Sequence, residues 1–294
     1  MKIGSTRSKI YKVVCLILLV IVALLFLFPL YWIVSGAFKN GTDINATTPV
    51  WFPSEWTMDN FVRLFSRRSA PLFQIGSLAG PKVPGAIRWL VNTVFMSVAA
   101  MILTCITASM AGYALAKKRF VGRTLLFSLI VCAMALPKQV ILIPLLKEMS
   151  ALDLYNTLWA VIFPTVGWPF GVFLMKQFSE SIPGEILEAA RIDGASELKT
   201  FVTIVVPMVK PGIGALAIFT FINSWNDYFM QLIMLAKSEV YTISLGIATM
   251  QAETSIDMGM LMAGAALASV PIIIVFLIFQ KYFTQGITMG AVKG

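Results

Sequence analysis

From residue 13 to residue 38 the chain runs for 26 positions without a charged side chain, more than the about 20 apolar residues a helix needs to cross a bilayer. Five further apolar runs lie near that length, over residues 89–115, 125–146, 158–174, 212–235 and 258–282. With 58% of the chain hydrophobic and only 13% charged, this pattern predicts an all-α, polytopic membrane protein with six transmembrane helices. The fourth run is the shortest and carries Pro164 and Gly167. The first is too long for the apolar core of a secretory signal and shows no small-residue cleavage site, so it is expected to be retained.

Six crossings put both termini on one side of the membrane, and the basic residues say which. Fourteen Lys and Arg fall on the side of the N-terminus against eight on the other, with Lys138 inside the third run counted on neither. The excess places both termini in the cytoplasm of a cell (inner or plasma) membrane. The resulting plan is a cytoplasmic N-terminus at 1–12, a first transmembrane helix at 13–38 and an extracytoplasmic loop at 39–88. A five-helix core at 89–282 follows, containing a cytoplasmic loop at 176–210, and a cytoplasmic tail at 283–294 ends the chain.

Composition also removes several functions. There is no His, which excludes imidazole acid–base chemistry, His-bound metals and Ser–His or Cys–His nucleophiles. Cys15, Cys105 and Cys132 each lie within an apolar run and read as small buried packing residues rather than a disulfide framework. No stretch matches the phosphate-cradling P-loop pattern, so any ATP that drives this chain is bound by another subunit and no cofactor is expected here. The net charge of +9 punctuates apolar runs instead of forming a basic soluble face, which argues for membrane lipid and against nucleic acid as a partner.

One stretch contrasts with the rest. Glu185, Glu188, Arg191, Asp193, Glu197 and Lys199 crowd into 15 residues between two apolar runs. At roughly 2.5–3.5 kcal/mol each near the bilayer centre, the six would together cost more than about 10 kcal/mol, so the stretch must face water or a protein. Ser181 is expected to cap a helix with Pro183 in its first turn and Glu185 at its positive end. Ile186, Leu187 and Ala190 form an apolar stripe, and Gly194 supplies the positive φ that ends the helix. Ser196 is expected to cap a second helix that Pro207 ends. The product is a cytoplasmic helix–turn–helix knuckle whose small residues, Ala189 and Ala190, let another surface approach. Lying flat on the membrane is the plainer alternative, but interfacial anchors favour Lys, Arg and Trp, and this stretch is acid-rich.

Glu188-Ala189-Ala190, Gly194, Ile204 and Pro207 stand at the spacing of the cytoplasmic signature of permease subunits in ATP-binding-cassette importers, which the chain resembles; Val206 replaces the usual Leu. The resemblance implies that the knuckle docks in a cleft of the ATPase subunit, with Glu188 and Arg191 making polar contacts, Ala189 and Ala190 permitting the fit, Gly194 setting the turn, and Asp193, Ile204 and Pro207 belonging to the same coupling element. FPLYWIVSGAFK (28–39), AGYALAKKRFVGR (111–123), ALPKQVILIPL (135–145), NSWNDYF (223–229) and GITMGAVKG (286–294) extend it to the carbohydrate-uptake group, specifically the second permease subunit of maltose-type importers. A type I importer permease fold is implied. So are four kinds of partner: a homologous permease, a cytoplasmic ATPase dimer, an extracytoplasmic sugar-binding protein and the surrounding lipid. The resemblance further implies that the loop at 236–257, with a short helix over 241–250 between Tyr241 and Met250, enters the binding protein. The tail with Gly290 and Lys293 is implied to reach the ATPase.

In NSWNDYF, Asn223, Ser224, Asn226 and Asp227 interrupt the fifth run, and an intramembrane Asp marks a candidate translocation path or gate. Trp225 and Tyr228 add aromatic faces suited to a sugar ring. The competing reading has these polar groups bonding neighbouring helices. Lys138, beside Pro137, reads as a path residue or as one snorkelling to an interface, with the second preferred. In the last run Ala263, Gly264, Ala268 and Ser269 are expected to serve close helix packing. An importer of a non-sugar solute is the alternative within the family. An ion-coupled transporter would need several buried acids, and Asp227 alone lies clearly inside a run; an intramembrane hydrolase would need a base for which only Lys138 remains.

Overall fold

The computed structural model describes residues 5–75, 78–253 and 257–291. Two compact units emerge, one of Met1–Ser69, Pro84–Ala86 and Ile247–Ser269, the other of Ala70–Val83, Ile87–Gly246 and Val270–Gly294.

The first unit is dominated by α1 (Ser5–Ala37), whose apolar side chains from Tyr11 onward stand outward, as lipid contact requires. Its C-terminal carbonyls find a partner in α3 (Asp59–Ser66), where buried Asn60 donates from Nδ2 to the carbonyls of Ala37 at 2.9 Å and Lys39 at 2.8 Å. The one-turn α2 (Gly41–Ile44) is capped by Asn40, which accepts from the Asp43 amide at 2.8 Å. The last turns of α1 hold the segment that follows: the Tyr31 hydroxyl donates to the Trp51 carbonyl at 2.6 Å, and the Lys39 ammonium lies 4.0 Å from the centre of the Trp32 ring.

The second unit carries the core. The 33-residue α4 (Gly85–Lys117) is unbroken, but its neighbours are not. After Gly122, at φ +83°, α5 (Arg123–Ala133) and α6 (Lys138–Ala151) meet at 106°. Pro137 causes the bend: it has no amide hydrogen and its backbone is extended. A second break separates α7 (Trp159–Val166) from α8 (Pro169–Glu180) at Gly167 and Trp168. Next come α9 (Gly184–Ile192) and α10 (Glu197–Thr200), then a π-helical turn at Phe201–Val205 and the short α11 (Val206–Met208). The path turns by 78° into α12 (Lys210–Asn226), stops at Asp227, and resumes as α13 (Tyr228–Met234). Two helices, α14 (Ile243–Glu253) and α15 (Met258–Ala291), complete the chain.

Among the described residues, Tyr11–Ala37, Gly85–Lys117, Trp159–Glu180 and Met258–Gln280 are long and apolar enough to cross a membrane, and the two bent pairs raise the number to six. The fifth run, expected as one span over 212–235, is divided by Asp227 into α12 and α13. The last helix continues to Ala291, so the tail expected from residue 283 is helical through most of its length. Cys132 is exposed and Cys15 partly so, which corrects their assignment as buried packing residues, since an outward face toward lipid is apolar enough to hold a thiol; Cys105 packs against the buried cluster, its thiol 3.8 Å from the Ile213 carbonyl.

Helices in this unit approach at glycines. A Cβ on Gly112 of α4 would lie 2.6 Å from the Lys176 amide nitrogen and the Met175 carbonyl carbon of α8; one on Gly212 of α12 would lie 2.5 Å from the Phe178 ring. Small residues let backbones pack this closely where no hydrophobic drive separates helix from lipid. Around them Tyr113, Met175, Phe178, Leu187, Val205 and Leu216 form one buried cluster.

Candidate functional site

The knuckle is built from α9 and α10. Pro183, extended, precedes α9, while the Ser181 hydroxyl donates to the Phe178 carbonyl at 2.8 Å; Ser181 therefore closes α8 rather than capping α9 as its sequence position suggested. At the far end Gly194 adopts φ +73°. The Gly194 amide donates to the Arg191 carbonyl at 3.0 Å and the Ala195 amide to the Ala190 carbonyl at 2.9 Å, a left-handed closure that satisfies the last carbonyls. Ser196 then caps α10, its hydroxyl accepting from the Lys199 amide at 3.3 Å. Ser196→Ala is expected to cost about 1 kcal/mol locally, seen as faster hydrogen exchange at the Lys199 amide.

Pro207 does not end this second helix. It sits in the first turn of α11, and the π turn at Phe201–Val205 absorbs its missing donor by re-routing the preceding carbonyls. Ile204 is half-buried within that turn.

The two alanines separate. Ala190, only 6% exposed, packs inward with Leu187, whereas Ala189 faces solvent with Glu188, Arg191 and Asp193. Ala190 therefore belongs to the knuckle's own packing and is not free for a partner. Ile192, which sequence reasoning passed over, is 86% exposed at the tip.

Basic residues at the end of α4 hold the knuckle from behind. The Lys117 ammonium donates to the carbonyls of Ile182 at 2.6 Å and Glu180 at 3.0 Å. Lys118 pairs with Glu197, which also accepts from Arg191 at 3.4 Å. The hydrogen bond from Lys118, reinforced by the charges of Lys118 and Arg191, holds the Glu197 carboxyl below its ordinary value of 4.5. A lowered folded pKa gives stabilisation that is fully present above the unfolded value and is lost as pH falls through the folded one. Acidification from about pH 4.5 downward is thus expected to loosen α10, measured as rising amide exchange, and Glu197→Gln should flatten that pH dependence.

A second cluster lies where the three helix breaks meet. A cavity of about 390 Å³ is lined by the breaks at residues 133–138, 164–170 and 223–230. Lys138, in the first turn of α6, extends its ammonium to Asn223 Oδ1 at 3.1 Å and Asp227 Oδ2 at 3.3 Å. A cation in the first turn of a helix opposes the dipole, and the Asp227 carboxylate offsets it. Asp227 Oδ1 also accepts from the Met230 amide at 3.4 Å and caps α13. Lys138 thus links the break before α6 to the break after α12, while its side chain stays about half exposed.

Of the other residues in NSWNDYF, none lines this cavity. Trp225 is 1% exposed and stacks on Phe221, with ring centres 5.4 Å apart. Ser224 is buried, Asn226 donates back to the Ile222 carbonyl at 3.0 Å, and Tyr228 packs on the neighbouring apolar cluster. Trp168, absent from the expected set, contributes the aromatic face instead.

The loop before α14 is pinned by α4. Asn92 Nδ2 donates to the carbonyls of Glu239 and Tyr241, both at 2.9 Å, and Trp89 Nε1 donates to Ser238 at 2.8 Å. Tyr241 is half-buried, and its hydroxyl donates to the Ala236 carbonyl at 3.1 Å. Met250 is 2% exposed and is a core residue of the first unit. The short helix expected over 241–250 is α14, which begins two residues later because the Thr242 hydroxyl accepts from the Leu245 amide at 3.4 Å as its cap. Gly290 falls in the last turn of α15; Lys293 lies outside the described residues.

Residues 105–289 match the family described as binding-protein-dependent transport system inner membrane component. The chain is 34% identical to the arabinooligosaccharides transport system permease protein AraQ of Halalkalibacterium halodurans, over 93% of each chain. It is 32% identical to the maltodextrin transport system permease protein MdxG of Bacillus subtilis, over 99% of each. Among solved structures, a chain of a bacterial ABC transporter involved in the import of the acidic polysaccharide alginate shares the fold with a TM-score of 0.74. That likeness covers 96% of this chain and 100% of the other at 24% identity.

Proposed function

Since the chain belongs to the family of binding-protein-dependent transport system inner membrane components, we propose that it is the permease subunit of an ATP-driven, binding-protein-dependent carbohydrate importer. The observation that carries this reading is near-full-length similarity to arabinooligosaccharide and maltodextrin permeases. The protein is a multi-pass membrane protein of the type I importer permease fold. It performs no covalent chemistry of its own; partner subunits bind and hydrolyse ATP. Both termini are cytoplasmic, and a second permease and an extracytoplasmic sugar-binding protein complete the machine.

In this reading the ATPase grips the outer face of α9, with Ala189 allowing close approach, Ile192 entering an apolar recess, and Glu188, Arg191 and Asp193 making the polar rim. Leu187 and Ala190 pass the motion inward, because they are buried in the unit's own packing. From the knuckle the chain bends into α12, a rod of 17 residues and about 25 Å, whose far end holds Asn223 and Asp227 in the cavity. A displacement at one end is thereby delivered to the other. Coupling requires only that the ATPase bind the inward-open and outward-open states with different affinity.

Purification from native membrane, identification of the bound subunits and a screen of oligosaccharides for stimulation of ATP hydrolysis test this directly. An ATPase and a sugar-binding protein should co-purify, and a neutral oligosaccharide should stimulate. A complex without an ATPase would overturn the importer reading, and stimulation by amino acids or peptides alone would overturn the carbohydrate one.

A further inference from the structure

We propose that the cavity at the three helix breaks is a carbohydrate contact site within this subunit, and that the Lys138–Asp227 pair sets it for uncharged sugars. The proposal rests on the carbohydrate-importer reading and adds to it where cargo touches this chain and which cargo is refused.

The volume, about 390 Å³, falls within the range of small-ligand sites. Trp168 and Phe170, with ring centres 4.9 Å apart, form an apolar wall that suits the C–H face of a sugar ring. Opposite in character are Lys138, Asn223 and Asp227. The ammonium of Lys138 has three donors and uses two, on Asn223 and Asp227. The Asn223 amide nitrogen has no partner among the described residues, so both of its donors are unspent. A carboxylate offers about four acceptor positions, and Asp227 uses two, for Lys138 and the Met230 amide. Unused donors and acceptors side by side are what a hydroxyl, itself donor and acceptor, can satisfy.

Charge decides the class of sugar. Among the described residues, Lys138 and Asp227 are the only ionisable ones lining the cavity, and their charges cancel. Asp227 is the more buried of the two, its side chain 17% exposed against 46% for Lys138. A sugar carboxylate that took the third donor of the ammonium would lie beside the Asp227 carboxylate, two negative charges sharing one cation. Like charges so placed repel, which disfavours the acidic sugar. Hydroxyls insert without breaking the pair.

The test uses the complete complex in nanodiscs in two arms. In the first, with the binding protein present, ATPase stimulation by arabinotriose and maltotriose tests the importer reading itself. In the second, the binding protein is omitted, so selectivity belongs to the membrane subunits alone. Diazirine-tagged maltotriose is photolysed on the wild-type complex and the labelled residues are mapped. Label within 164–170 or 223–230 of this chain is expected; label confined to the partner permease would overturn the inference while leaving the importer reading intact.

Binding of maltotriose relative to trigalacturonate is then compared in variants, as a ratio that cancels loss of overall activity. Asp227→Asn leaves Lys138 unpaired and should shift the ratio toward the acidic trisaccharide by about tenfold or more, in line with the cost of like-charge contact. Lys138→Gln should shift it the other way. An unchanged ratio in both would overturn the charge-selection claim. Failure of the first arm with every carbohydrate would instead sink the reading on which this one rests.

Discussion

Replacing Ile192 by Asp is expected to weaken attachment of the ATPase by about thirtyfold while the chain still inserts and assembles with its partner permease. Ile192 is 86% exposed on the acid-rich face of α9 and makes no contribution to the knuckle's interior, so folding has little to lose. An apolar anchor seated in a partner's recess typically carries about 2 kcal/mol or more of the binding energy, which is about thirtyfold in affinity. Titration of purified ATPase onto membranes containing the variant measures the loss, and sugar uptake should fall with it. Wild-type affinity would place the docking surface elsewhere. Ala190→Trp is a poorer probe than the signature suggests. Ala190 is buried, so that change would break the knuckle before it disturbed any partner.

The largest effect on the fold is expected from Gly112→Val. A side chain there meets the backbone of α8 at Lys176 and Met175, and backbone cannot turn aside as a side chain can. The two helices would have to separate, and because they frame the buried cluster beneath the knuckle, the loss spreads. A cost of about 3 kcal/mol, the upper end for overpacking, should lower the thermal midpoint of the purified complex and its accumulation in the membrane. Gly184→Ala is the matched control: nothing lies within 4 Å of its added carbon, so stability should change little or rise slightly. Equal behaviour of the two variants would refute the close approach.

How far these features could be read from the chain depended on whether local chemistry or distant packing fixed them. Gly194 was legible because a left-handed residue after an apolar stripe has few other uses. Ser181 was misread because two helices end near it, and either could claim a hydroxyl. The bend at Pro137 was available from its missing donor, whereas the π turn before Pro207 was not, since a proline can stop a helix or be accommodated by it.

Helical periodicity already contained two lessons left unused. Asn223 and Asp227, four apart, share a face; Trp225, two from each, lies about 200° round the helix and so packs inward when they face the cavity. Ile192 is likewise two residues from Ala190, which puts it on the face opposite the buried stripe. The Lys138–Asp227 contact spans 89 residues, and no local pattern in one chain could pair them.

The account turns on the knuckle being a cytoplasmic handle held by a separate ATPase. With Cys15, Cys105 and Cys132 replaced by Ser, a single cysteine at Ala189 can be treated with a membrane-impermeant maleimide from either side and cross-linked within the assembled complex. Modification only in inside-out vesicles, with a cross-link to the ATPase whose yield changes when ATP binds, is the predicted result. Modification from the outside, or an actively transporting complex in which position 189 never cross-links to the ATPase, would contradict it.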